Sequence, residues 1–340
     1  MHVGIVGATG AVGAELISVL ARRRFPVTRL DLFASERSAG KTVTTPFGEK
    51  TLTEFSVEAA GRCDVVFLAV SGSFAEQYAP ELAKTTLVID NSSAFRYRPE
   101  VPLVVPEINA DAIGQASLIA NPNCTTAVLV VALAPIARAF GLERVIVSSY
   151  QATSGAGKEG MEELTRETAR VLAGETASRQ VFAHPIAFNL IPHIDVFQPN
   201  GYTKEEMKVT WESRKIMGLP DLKISCTAVR VPTLRVHSEA VTIETKDVAT
   251  PDAVRAVLTT APGVDVVDDP ANNRYPMPIG ATGKDNVEVG RIRRNEVFGD
   301  RGIDLFLCGD QLLKGAALNA VQIAEAAMAQ GRLPAGKAAA

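Results

Sequence analysis

Short apolar runs alternate with helical spacing through the first third of the chain. Runs at 3–6, 29–33, 64–69 and 87–90 predict strands, shorter ones lie at 103–105 and 118–120, and 11–23 carries a helical pattern. Strands that are apolar throughout belong in a sheet covered on both faces. Short Gly, Pro and Ser connections between strand and helix imply parallel, doubly wound order. The pattern changes near residue 124. Asn121-Pro-Asn-Cys opens an apolar helix over 125–140, and beyond Gly141 the runs at 145–150, 223–229, 238–245, 287–293 and 303–308 alternate polar with apolar positions. Helices are predicted between them at 158–172, 203–217 and 251–260. This second pattern predicts a mixed or antiparallel sheet with helices on one face. The fold class is therefore α/β, a doubly wound parallel sheet followed by an α+β domain. An Ala-rich helix at 311–330 is expected to pack back on the first domain. The expected domains are thus 1–123 plus 311–330, and 124–310. The stretch 262–283, rich in Asp, Asn, Pro and Gly, reads as loop, and 331–340 as a frayed tail.

Composition narrows the function classes. The chain has 340 residues, 46% hydrophobic and 21% charged, which excludes a disordered chain or a coiled coil. Thirty-five Lys and Arg face 38 Asp and Glu, a net charge of -3, so no nucleic-acid partner is expected. No apolar run is long enough for a membrane span, and the start at Met1 carries no signal-peptide pattern. Cys63, Cys124, Cys226 and Cys308 form no CxxC pair, so neither a disulfide framework nor a metal site is expected, which fits a reducing cytoplasm. His2, His184 and His193 lack ligand spacing and read as structural.

Six segments carry candidate chemistry. Gly7, Gly10 and Gly13 stand between a predicted strand and a predicted helix, where bare backbone and a helix N-terminus suit a pyrophosphate, although the same glycines could serve a tight turn alone. At the tip of the second strand, Arg37 with Ser35 and Ser38 suits a 2′-phosphate and favours NADP, while Glu36 opposes it. Asn123 is a good N-cap that places Cys124 at the first helical position, where the helix end favours a thiolate; the other three cysteines lie in apolar patterns and read as core. The Gly-rich segment after 145–150 puts Gln151 at a strand end. Glu205 and Lys208 share a helix face, as a surface pair or a site. Arg230, set among apolar residues, needs a carboxylate from protein or substrate, and His237 has the chemistry of a general acid/base.

Taken in order, these motifs resemble the aspartate-β-semialdehyde dehydrogenases over roughly 1–330. They include Gly-Ala-Thr-Gly-Ala-Val-Gly at 7–13, Ser-Glu-Arg-Ser-Ala-Gly at 35–40, Asp-Asn-Ser-Ser-Ala-Phe-Arg at 90–96 and Asn-Pro-Asn-Cys-Thr-Thr at 121–126. Ser-Tyr-Gln-Ala-Thr-Ser-Gly-Ala-Gly at 149–157, Glu-Glu-Met-Lys at 205–208, Arg-Val-Pro…His-Ser-Glu at 230–239 and Gly-Asp-Gln at 309–311 continue the series. The resemblance implies a Rossmann-like first domain, a homodimer built through the second, and a cytoplasmic enzyme of lysine, threonine and methionine biosynthesis. It makes Cys124 the nucleophile, Gln151 the residue that orients the acyl group and His237 the acid/base. Arg230 takes the substrate carboxylate, Glu205 its ammonium, and Lys208 and Arg96 the phosphate. It places NADP on Gly7, Thr9, Gly10, Ala11, Val12, Gly13, Ser35, Arg37, Ser38, Ser154, Gly155 and Gln311. The implied reaction is reduction of 4-aspartyl phosphate to aspartate semialdehyde and phosphate through a thioester. The one departure is Glu36, where relatives often carry a neutral residue. Two alternatives share the loop: an N-acetylglutamyl-phosphate reductase, which has no need of Glu205, and a non-catalytic NADP-binding regulator, which has no need of Cys124.

Overall fold

The computed structural model describes residues 1–334, so positions 335–340 of the expected tail lie outside the described residues. The chain divides into two units, Met1–Pro122 with the chain from Ala316 onward, and Asn123–Gly315.

The first unit alternates strand and helix. Its elements are β1 (His2–Val6), α1 (Ala11–Arg22), β2 (Arg29–Ala34), a hairpin of β3 (Thr42–Thr45) and β4 (Gly48–Thr51), β5 (Thr53–Glu54), α2 (Val57–Ala60), β6 (Val65–Leu68), α3 (Gly72–Leu82), β7 (Leu87–Asp90), α4 (Pro106–Asn109) and β8 (Leu118–Ala120). Six strands pair in parallel in the order β5-β2-β1-β6-β7-β8. Every residue of β6 and β7 is buried, as a parallel sheet sandwiched between helices requires. The strand order reverses beside β1. In doubly wound sheets a ligand crevice opens there, past the carboxyl ends of the strands. The run at 103–105 forms no strand and contributes only a bridge from Leu103 to Ala120.

The second unit runs α5 (Cys124–Phe140), β9 (Arg144–Gln151), α6 (Gly157–Leu172), α7 (Lys204–Met217), β10 (Lys223–Arg230), β11 (His237–Glu244), α8 (Pro251–Thr259), β12 (Val264–Val266), α9 (Pro278–Ala281), β13 (Val287–Arg294) and β14 (Gly302–Gly309). Its sheet has the order β10-β9-β11-β14-β13-β12. Strands β10 and β9 are parallel, as are β12 and β13, and the other pairs are antiparallel, so the sheet is mixed. Helices α5, α7 and α8 pack on one face. The other face is more open, with Ile146 47% exposed. The stretch 262–283 is not loop throughout: it contains β12 and α9, too short for periodicity to reveal.

Local chemistry sets the ends of the two helices that matter most. The Asn123 side chain accepts the Thr126 N–H at 3.1 Å and so caps α5. Thr203 and Glu206 form a reciprocal capping box on α7, which Gly218 ends in the left-handed conformation. The chain then returns to the first unit as α10 (Leu318–Ala329), which Arg23 ties to α1 through a two-bond pair with Glu325. The helix expected at 311–330 is in fact a π-helical turn, Leu313–Ala317, leading into α10, and Gly331 and Arg332 bond back to it rather than fraying.

Candidate active site

The glycine-rich turn joins β1 to α1 in the first unit. Gly7 has φ +85, and a Cβ there would stand 2.2 Å from the Ala69 carbonyl oxygen; one on Gly13 would stand 2.3 Å from the Gly7 oxygen. Gly10 caps α1 without a side chain, so no side-chain oxygen covers the amides of the first turn formed by Ala11, Val12 and Gly13. This is a cradle in which backbone N–H groups and a helix end can meet a phosphate, with Thr9 exposed beside it. At the tip of β2, Ser35 caps a 3-10 turn of Glu36–Ser38, and Ser35, Glu36 and Arg37 are exposed. Arg96 is buried in the same unit. It donates to the carbonyls of Asn121 and Asn91, each at 2.8 Å, and Asn121 stands three positions before Cys124 in the chain.

The remaining candidates gather in the second unit. Cys124 opens α5 and alone of the four cysteines is partly exposed. Burial pushes the thiols of Cys63 and Cys308 up to about 12 and that of Cys226 higher still, which leaves them inert at neutral pH. The neighbours of Cys124 fix its surroundings. Asn123 Nδ2 donates to Glu205 Oε1 at 2.9 Å, the Asn123 N–H donates to Glu212 at 2.6 Å, and Thr125 Oγ1 accepts from the Gln151 amide. A Cβ on Gly315 would meet the Cys124 Cβ at 2.6 Å, so that position admits only glycine against the thiol-bearing residue. Glu212 and Gly315 were not legible as site residues. Glu212 lies one helical turn beyond Lys208, and nothing in its spacing distinguishes it.

Sheet register supplies the other side. Arg230 pairs with Gln151, and Ser238 pairs with Tyr150, which sets His237 level with Gln151. The three buried side chains thus come from the ends of β10, β9 and β11. Arg230 Nη1 donates to the Ala152 carbonyl at 2.6 Å, and among the described residues no carboxylate forms an ion pair with it. Burial draws its pKa down, opposed by the charge of Glu205 and by Cys124; the same attraction favours the Cys124 thiolate. Burial raises and the Lys208 charge, Asn123 and Gln151 lower the Glu205 carboxyl, with a net downward shift. Lys208, at 3.0 Å from Glu205 and 2.7 Å from Asp195, is held protonated despite its burial. Glu205 and Lys208 are therefore no surface pair.

His237 is fully buried. Its Nδ1 accepts the Ala152 N–H at 3.1 Å, so the neutral ring carries its proton on Nε2, which has no partner among the described residues. Burial and the Arg230 charge hold its pKa well below the ordinary 6.5. A Cβ on Gly155 would stand 2.7 Å from Arg230 Nη1 and 3.4 Å from His237 Nε2, so the bare Gly155 backbone lies over both side chains. Ser154 and Gln311 join this group through a hydrogen bond between their side chains. The assembly combines a thiolate-favouring cysteine, an unpaired cation, an ionised carboxylate and a proton on a buried imidazole. It can form and break a covalent bond to a small zwitterion.

Behind His237 on the same face of β11, Glu239 is fully buried and neither carboxyl oxygen has a hydrogen-bond partner among the described residues. Burial pushes its pKa well above the usual 4.5. Between these two values the folded protein binds a proton that the unfolded chain does not, so stability falls as pH rises. The slope is about 1.4 kcal/mol per pH unit for this group. Glu239→Gln is expected to remove that slope, so the variant becomes relatively more stable toward alkaline pH. Urea unfolding at a series of pH values checks this, and identical pH slopes for both proteins would contradict it.

Two family models match the chain: "Semialdehyde dehydrogenase, NAD binding domain" over residues 2–116 and "Semialdehyde dehydrogenase, dimerisation domain" over 133–314. A curated aspartate-semialdehyde dehydrogenase of Aquifex aeolicus is 48% identical over 336 residues, covering 97% of this chain and 98% of that protein. One of Bacillus subtilis is 47% identical, covering 96% of each. Among solved structures, an aspartate semialdehyde dehydrogenase II of Vibrio cholerae complexed with ASA superposes with a TM-score of 0.92. It is 42% identical over 96% of this chain and 98% of that one.

Proposed function

The chain belongs to the aspartate-semialdehyde dehydrogenase family, and we propose that it reduces 4-aspartyl phosphate to aspartate semialdehyde and phosphate through a thioester on Cys124. The observation that carries this reading is the row Arg230–Gln151–His237 set beside the helix end that bears Cys124. In this reading the Cys124 thiolate attacks the acyl carbon, the bond to the phosphate oxygen breaks, and phosphate leaves. Covalent catalysis divides one hard displacement into two easier ones. Gln151 orients the acyl group. Arg230 takes the α-carboxylate, for which its unpaired guanidinium is suited, and Glu205 takes the α-ammonium. Lys208 and Arg96 hold the phosphate. His237 keeps a proton at Nε2 for the oxygen of the reacting carbonyl. Release of the aldehyde breaks the carbon–sulfur bond and returns the thiolate.

NADPH, when bound, supplies the hydride. The bare turn of Gly7–Gly13 with its uncapped helix end fits the pyrophosphate, and Ser35, Arg37 and Ser38 fit a 2′-phosphate. Ser154, Gly155 and Gln311 complete the set given to the cofactor. In this reading the protein works in lysine, threonine and methionine biosynthesis and in the cytoplasm, which its membership of a family of biosynthetic enzymes supports. Among the described residues no helix is long and apolar enough to cross a membrane. A homodimer through the second unit is supported by the matching dimerisation model and by the open face of its sheet.

The test is steady-state kinetics in the oxidative direction with aspartate semialdehyde, phosphate and NADP, alongside N-acetylglutamate semialdehyde. Glu205, ionised and buried, favours the free ammonium of the first substrate. Turnover of the acetylated substrate alone would sink the proposal. A second expected result concerns Arg230→Lys. A compact ammonium cannot make the two-bond fork to a carboxylate, so kcat/KM for aspartate semialdehyde falls by about 10²-fold. A loss under threefold removes Arg230 from the carboxylate role.

A further inference from the structure

His237 is aimed by a residue with a backbone conformation that its side chain disfavours. Val236, directly before it, has φ +76 and is fully buried. A β-branched residue in the left-handed region is an outlier that persists only where its surroundings hold it. The holding groups are in the structure. The Val236 N–H donates to Gln311 Oε1 at 2.8 Å, and Gln311 Nε2 donates to Ser154 Oγ. One residue earlier, Arg235 Nε donates to Asp310 Oδ2 at 2.7 Å. Asp310 is itself buried and fixed by the N–H groups of Gly283 at 2.7 Å and Leu312 at 3.1 Å. Register explains the convergence. His237 pairs with Gly309 across β11 and β14, so the two residues after Gly309 fall beside the two residues before His237.

We infer that Asp310 and Gln311 form a clamp that keeps Val236 left-handed and thereby positions His237, making Gln311 a positioning residue for the acid/base step. Both ends of its amide are already used within this unit, one on Val236 and one on Ser154. Ser154 precedes Gly155, whose backbone lies over the His237 ring. The clamp therefore ties the strand that carries the imidazole to the segment covering it. Released from Gln311, Val236 relaxes toward negative φ and turns the following residue. The Nδ1 bond to the Ala152 N–H is then lost, and the Nε2 proton is no longer held over the site. The inference rests on the reading that His237 serves the chemistry.

The experiment compares Gln311→Leu, Val236→Gly and the double variant, using aspartate semialdehyde, phosphate and NADP, with NADPH binding followed by fluorescence titration. Gln311→Leu is expected to lower kcat, measured at saturating NADP, on the order of 10–100-fold, with the KM for aspartate semialdehyde within threefold of the parent; the NADPH Kd is free to rise, since Gln311 is also given to the cofactor. Glycine populates the left-handed region freely, so adding Val236→Gly should recover about fivefold or more of the lost kcat. A purely structural loss would not be rescued by a second substitution. Far-UV circular dichroism and the urea midpoint show that each variant is folded. The clamp is overturned if Gln311→Leu raises the NADPH Kd with kcat unchanged, which makes it a cofactor contact, or if Val236→Gly recovers nothing. His237→Asn run in parallel separates the two levels: parental turnover there faults the reading of His237, whereas a dead His237→Asn with an unaffected Gln311→Leu faults the clamp alone.

Discussion

Cys124→Ser is expected to reduce phosphate-dependent oxidation of aspartate semialdehyde by roughly 10⁴-fold or more while NADPH binds as before. The argument is electrostatic as well as chemical. A thiol at the first position of a long helix feels the partial positive charge of the helix end, and Arg230, with which no carboxylate among the described residues forms an ion pair, adds a full one. A serine hydroxyl in that place stays protonated at neutral pH and attacks poorly. The substitution leaves the rest of the site in place, because Asn123 still caps α5 and Gly315 still packs against residue 124. Single-turnover assays with mass analysis of the acyl-enzyme provide the check. Turnover within tenfold of the parent, or an acyl group found on another residue, removes Cys124 as nucleophile.

His237→Asn is the second large effect, a loss in kcat of about 10²–10⁴-fold, the usual worth of a positioned acid or base. Asparagine suits this test because its Oδ1 can stand near the place of Nδ1 and still accept the Ala152 N–H, while Nε2 and its proton are gone. A second readout comes from stability. The folded pKa of His237 lies well below 6.5, so under acid conditions the unfolded chain takes up a proton that the folded protein does not. Stability from this group is present above pH 6.5 and is lost as pH falls toward the depressed value. The asparagine variant lacks this titration and should lose less stability than the parent over that interval. Equal kcat for parent and variant, or equal acid slopes in denaturant titrations, would count against the assigned state of the ring.

Much of the architecture could be read from apolar spacing. The parallel strands β1, β6 and β7 announce themselves as almost wholly apolar runs because both faces of their sheet are covered, and β2 does so despite Arg29 and Asp31. The hairpin of β3 and β4 and the short β12 and α9 did not, since three or four residues carry too little periodicity to stand out from loop. The cap at Asn123 was legible because it is local, a side chain meeting an amide three residues on. Resemblance, rather than spacing, singled out Arg230, Gln151 and Glu205. Their burial together follows from the register of β9 and β10 and from the packing of α7, which no local pattern encodes.

The amino-acid sequence by itself determined the class of fold, the glycine turn before α1, the helix end under Cys124 and the inertness of three cysteines set in apolar patterns. Each depends on neighbours within a few positions, where propensity and capping act. Only the tertiary structure decided that Glu205 and Lys208 are buried together, that Glu239 lies unpaired behind His237, and that Val236 is held left-handed by a residue 75 positions away. Those features arise where strands distant in sequence are brought into register. There, burial sets the charge a group can keep, and the chain around it sets the conformation a residue must adopt.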